Sequence, residues 1–191
     1  MIPMRLAANL PEKRRNGYRE DYSMRRRPVV GIMGGARVSS DIYNMVFDLG
    51  RHIASAGCIV LTGGRNAGVM RAACEGAKKQ GGLTIGILPT ESKEDANPFV
   101  DICIPTNMGD ARNVINVLSS DIVVACPGGA GTISEIALAL KSRKQVVALG
   151  VEVGDVFNDF VESKQLVVVT TVSECIQEIT RELGLINENR S

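Results

Sequence analysis

Seven short apolar runs, separated by stretches with helical periodicity, restrict this chain to one broad architecture. The runs are 28–33, 58–61, 83–88, 99–104, 121–126, 145–149 and 166–169. They are apolar along their length rather than at alternate residues, as in strands buried on both faces. Ser39-Ser40-Asp41 is a capping cluster for a helix ending about residue 56, with Ile42, Met45, Val46, Leu49 and Ile53 on one face. Further helices are expected over 68–80, over 111–119 with Asp110 as cap, from the turn at 127–131 to about 142, near 155–162, and from Ser173 to about 183. The polar stretch 89–98 reads as a loop. The alternation predicts an α/β, Rossmann-like, doubly wound and mainly parallel sheet of about seven strands with helices on both faces.

Ligands in such sheets sit outside the carboxyl ends of the strands. Three of those ends carry glycine pairs: Gly34-Gly35, Gly63-Gly64 and Gly128-Gly129. The last opens the stretch Pro127-Gly-Gly-Ala-Gly-Thr-Ile-Ser-Glu135. Its glycines let a ligand approach the backbone, and the helix that follows points unpaired N–H groups at the turn, which favours a phosphate. Gly131 and Thr132 belong to the same cradle. The Gly63–Met70 turn, with Gly68, Val69 and Met70 at its helix start and Arg65 beside it, is a second candidate cradle.

Known phosphate motifs do not fit. Gly63-Gly64-Arg-Asn-Ala-Gly68 lacks the lysine of a Walker A loop. Gly129-Ala-Gly131-Thr-Ile-Ser134 lacks the third glycine of the dinucleotide fingerprint, although Glu152 lies where a ribose-binding acid would. Thr132-Ile-Ser-Glu135 also fits a capping box, in which Glu135 would bond back to the Thr132 amide. Arg112 stands in the first turn of the helix capped by Asp110, where a cation opposes the helix dipole. Two readings of Arg112 stay open: a local pair with Asp110, or a side chain facing the ligand pocket. Strands 99–104 and 121–126 are expected to be neighbours, so that Arg112 and Glu135 flank one pocket.

Charge divides the chain. Residues 1–27 hold eight Lys/Arg against three Asp/Glu, whereas 28–191 carry a net −4. The reading is a basic tail or arm over 1–27 and a single Rossmann-like domain over 28–191. No run is long and apolar enough to span a membrane, and no signal-peptide core precedes residue 10. The five cysteines are scattered, in keeping with buried thiols of a reducing cytoplasm. One histidine, His52, excludes a zinc site or triad built on several histidines and reads as structural. Lys78, Lys79, Lys141 and Lys144 lie away from the strand exits and Lys93 lies in the polar loop, against Schiff-base chemistry.

The stretch 127–135 resembles the PGGxGTxxE signature of the LONELY GUY-type family, and the element order resembles it over most of 28–184. Its best-known members are cytokinin riboside 5′-monophosphate phosphoribohydrolases, formerly labelled lysine decarboxylases. The resemblance implies that Arg112 and Glu135 are the catalytic pair of an N-glycosidic cleavage. In that family the arginine sits in a Met-x-x-Arg-Lys motif. Here Met108-Gly-Asp-Ala-Arg112-Asn113 has one more residue and Asn in place of Lys. That form is similar to the sister branch of molybdenum-cofactor carrier proteins, which bind a phosphorylated pterin. The resemblance implies a cytoplasmic homo-oligomer, dimer or tetramer, that binds a phosphorylated small molecule of nucleotide or molybdopterin type. It calls for no resident cofactor; the residues themselves call for no metal or membrane, and the net charge of +1 argues against nucleic acid as a partner. The expectation is a binding protein, with a nucleoside 5′-monophosphate phosphoribohydrolase as the alternative.

Overall fold

The order of the strands places the site. The computed structural model describes residues 26–185. Strands β1 (Val29–Met33), β2 (Ile59–Thr62), β3 (Thr84–Leu88), β4 (Ile102–Pro105), β5 (Ile122–Ala125), β6 (Val146–Leu149) and β7 (Leu166–Val169) form one sheet. Its order is β4-β3-β2-β1-β5-β6-β7, and each pairing is parallel. Order reverses between β1 and β5, so the crevice open to a ligand lies above that pair.

Helices α1 (Ser40–Ser55), α2 (Gly68–Lys79) and α6 (Val172–Glu182) cover one face. Helices α3 (Asn113–Leu118), α4 (Ala130–Lys141) and α5 (Asn158–Glu162) cover the other. Alternate residues of the central strands feed the two cores: Val124 and Val147 pack under α1 and α6, Val123 and Val146 under α4. This is the doubly wound arrangement read from the sequence. Ser39 caps α1, accepting from the Ile42 N–H at 3.3 Å.

Helices α1 and α2 cross unusually closely. A Cβ on Gly50 would stand 2.3 Å from the Ala73 carbonyl oxygen, and one on Gly76 would stand 1.9 Å from that of Phe47. Only hydrogen fits at either contact.

Local readings are revised at four places. The fourth strand starts at Ile102, not at residue 99, because Asn97 folds the preceding residues into a turn: its Oδ1 accepts from the Phe99 N–H and its carbonyl from the Val100 N–H. That strand is the sheet edge, separated from β5 by three strands rather than lying beside it. Asp110 does not cap a helix. It sits in a 3-10 turn over Gly109–Arg112, which follows positive φ at Asn107 and Gly109, and α3 begins only at Asn113. Finally, α6 starts one residue early, at Val172, because Thr171 and Glu174 form its capping box.

Most of the basic arm lies outside the described residues. Its last two arginines close the amino edge of the sheet: Arg26 pairs with Asp121, and Arg27 Nε donates to the Gly57 carbonyl at 2.8 Å. Cys58, Cys74, Cys126 and Cys175 are buried free thiols and Cys103 is half-buried. His52 is exposed on α1, with Nδ1 2.9 Å from the Asp48 carbonyl. No helix among the described residues is long and apolar enough to cross a membrane.

Candidate functional site

The exits of β1 and β5 are tied together by their backbones. The Gly35 N–H donates to the Pro127 carbonyl at 3.0 Å, and the Gly35 carbonyl accepts from the Val69 N–H at 3.0 Å. Gly68 makes this possible: its φ is +43°, and a Cβ there would stand 2.2 Å from the Gly35 oxygen. The start of α2 is thus spent on holding the β1 loop. Val69 is fully buried and packs against Gly34. Gly64, at φ +73°, packs on the backbone of Gly86, and its carbonyl accepts from the Asn97 side chain at 3.1 Å. Gly64, Gly68 and Val69 therefore build the walls rather than touch the cavity.

Beyond this tie lies a cavity of ≈ 200 Å³. Gly34, Gly35, Gly63, Met70, Gly129, Gly131 and Thr132 line it, together with Arg112 and Glu135. Gly128 stands just outside: a Cβ there would meet Thr132 Oγ1 at 2.1 Å and the Gly35 nitrogen at 2.8 Å. Helix α4 begins at Ala130, and its first intrahelical bond runs from the Ile133 N–H to the Gly129 carbonyl at 3.2 Å. The amides before Ile133 have no intrahelical acceptor and stand at the positive helix end beside the cavity.

The helix start removes Glu135 from capping. The N-cap is Gly129, with no side-chain bond, so Thr132-Ile-Ser-Glu135 is not a capping box. Glu135 falls on the second turn and turns inward, 6% exposed. Arg112 reaches it despite the distance between β4 and β5, because the 3-10 turn and α3 carry the chain from the sheet edge back over the strand exits. Arg112 is 8% exposed, and its Nη1 lies 3.8 Å from Glu135 Oε1, an ion pair too long for a hydrogen bond. The guanidinium rests on Gly63, where a Cβ would stand 2.5 Å from Nη2. Its Nε is buried and has no partner among the described residues.

Asn116 holds the carboxylate. Its Nδ2 donates to Glu135 Oε1 at 2.9 Å, and the residue is fully buried. Burial pushes the Glu135 carboxyl above the usual carboxylate range; the Asn116 bond and Arg112 pull it back, and Asp110 adds to the rise. Burial also lowers the Arg112 guanidinium, with Glu135 opposing and Arg65 assisting. An arginine stays protonated in such a place. The cavity therefore offers guanidinium groups at Arg112 and Arg65, carboxyl groups at Glu135 and Asp110, and free amides at the α4 start. No lysine lines it.

Three contributors escaped the sequence reading. Asp110 lines the cavity instead of capping a helix. Asn113 Nδ2 donates to Ser134 Oγ at 3.2 Å and clamps α3 to α4. Asn116 left one signal: a polar residue in the apolar run Val114-Ile-Asn-Val-Leu118, one helical turn after Arg112.

Residues 27–176 match the model of the SLOG cluster4 family. The chain is similar to the molybdenum cofactor binding protein of the phototrophic bacterium Rippkaea orientalis: 43% identity, TM-score 0.76, covering 83% of this chain and 99% of that one. It is similar to the molybdenum cofactor carrier protein of Chlamydomonas reinhardtii at 40% identity and TM-score 0.75, with coverage of 83% and 99%. A cytokinin riboside 5′-monophosphate phosphoribohydrolase of Mycobacterium tuberculosis is 29% identical over 99 residues, 51% of this chain and 53% of that protein.

Proposed function

The chain belongs to the SLOG cluster4 family, and from its likeness to molybdenum-cofactor binding and carrier proteins we propose that it is a carrier for a phosphorylated pterin of the molybdenum-cofactor type. The observation that carries the reading is Arg112. It is a buried cation held on Gly63, and its Nε–H is unpartnered at the wall of the cavity. A donor kept dry and unsatisfied costs free energy unless a ligand completes it. In this reading the phosphoryl group lies on the first amides of α4, and the polar ring meets Arg112, Asp110 and Glu135. Among the described residues no group of His, Cys, Asp and Glu is arranged to hold a metal ion. The metal would then travel on the cargo's own donor atoms.

Holding rather than cutting is supported by likeness to two proteins described as binding or carrying the molybdenum cofactor. The site supports it as well. Asn113 is engaged with Ser134, where the hydrolase motif has a lysine, and Asn116 occupies Glu135 Oε1. The second reading is N-glycosidic cleavage of a nucleoside 5′-monophosphate. It is favoured by the Arg112–Glu135 pair, with Arg112 orienting Glu135 against a developing oxocarbenium centre. Either reading fits a cytoplasmic homo-oligomer. Assembly is supported by Ile102 and Ile104, exposed on the edge strand on the same sheet face as α3, which exposes Val114 and Leu118.

The test incubates purified protein with a panel of nucleoside 5′-monophosphates and follows free base and ribose 5-phosphate. Thermal shift runs in parallel with the same nucleotides. Binding without release is the expected result. Release abolished by Glu135→Ala, with binding retained, would overturn the carrier.

A further inference from the structure

The Gly35–Pro127 tie is a saddle between two cavities. On one side lies the ≈ 200 Å³ cavity of Arg112 and Glu135; on the other lies a second of ≈ 350 Å³. They share Gly35, Ala36 and Gly129, so the N-cap residue of α4 borders both. The second cavity has apolar walls at Val38, Ile42 and Pro127, and Arg37 stands exposed at its edge. The two basins straddle the β1–β5 reversal of strand order, the place where doubly wound sheets take ligands with two halves.

We infer that the site takes a pyrophosphate-linked ligand, a cargo extended by a second nucleoside, across the Gly35–Gly129 saddle. This rests on the carrier reading and names a longer form of its ligand. Each feature has a part in it. The diphosphate lies on the α4 amides at the crest, between Arg65 and Arg112 on one side and Arg37 on the other. One ring enters the first cavity, where the unpartnered Arg112 Nε waits for an acceptor. The second ring lies against Val38, Ile42 and Pro127, an apolar wall that a monophosphate confined to the first cavity would leave uncovered.

The experiment is calorimetric titration with three probes. GMP offers one 2-amino-6-oxopurine and one phosphate, GDP adds a second phosphate without a second ring, and diguanosine 5′,5′-diphosphate supplies both. The two-ring probe is expected to bind roughly tenfold tighter than GMP, with GDP between them. Arg37→Glu, on an exposed residue, and Ile42→Asp should each remove most of that gain and leave GMP unchanged. Circular dichroism checks folding of the Ile42 variant; if it fails, Arg37→Glu decides. GMP binding with no gain for the two-ring probe, or a gain indifferent to the variants, overturns the extended ligand and spares the carrier reading. Binding of none of the three overturns both.

Discussion

The Arg112 guanidinium lies directly on Gly63. A methyl group on that glycine would stand 2.5 Å from Nη2 and 2.6 Å from Nη1. The contact is with the far end of a long side chain, so Gly63→Ala should fold while pushing the guanidinium off its seat. Affinity for a phosphorylated ligand should fall on the order of tenfold, the loss of one charge-assisted hydrogen bond. The melting temperature should barely move. Titration calorimetry and thermal unfolding of the same preparation check both halves. An unchanged affinity would mean that the seat of Arg112 is irrelevant to binding.

Glu135 gives the protein a specific pH response. Burial raises its folded carboxyl above the unfolded one. Below the usual carboxylate range both states are protonated and nothing is lost. As pH rises through the raised folded value, the buried carboxyl must ionise, and stability declines until ionisation is complete. Glu135→Gln has no such proton to lose. The difference in stability, variant minus wild type, should climb across that window and stay flat on either side. Chemical denaturation at a series of pH values measures it; a slope of the opposite sign would rule out the burial argument.

Asn116 fixes where Glu135 points. Asn116→Leu removes the only side-chain hydrogen bond to that carboxylate among the described residues. The cost expected is about 1–3 kcal/mol, the penalty for a buried polar group left unpaired. The Glu135 carboxyl should rise further, widening the pH window above. Chemical denaturation of Asn116→Leu across the same pH series checks this; a merely space-filling role for Asn116 would lower stability without moving the window.

Far from the site, Gly76→Ala should cost about 1–3 kcal/mol, because its methyl would meet a backbone carbonyl 1.9 Å away. Ligand affinity should be nearly unchanged once the variant is folded. Urea unfolding and titration separate the two, and a neutral Gly76→Ala would show that α1 and α2 can slide apart cheaply.

The sheet was legible because β5 and β6 are apolar from end to end, buried on both faces. The glycine pairs marked the strand exits for a similar reason, since close backbone approach leaves little choice of residue. Strand order was not legible: nothing local in residues 99–104 says that they end at an edge, separated from β5 by three strands. Arg112 therefore joined the pocket by a crossover, not by strand adjacency. The Asp110 cap failed because Gly109 and Asn107, both at positive φ, bend the chain into a 3-10 turn first. Glu135 could be read as a cap or as a pocket residue from spacing alone; only the start of α4 at Ala130 decides between them. Asn116 carried a faint mark, one amide in an apolar run, whose partner nineteen residues later no periodicity reveals.

Gly35 gives its N–H to the β5 exit and its carbonyl to the first turn of α2. One residue thereby rivets both halves of the sheet and the helix between them. A ligand arriving there finds the loops already set and has little ordering entropy to overcome. On the carrier reading, transfer is then a matter of competition: the cargo moves when a recipient grips it more tightly.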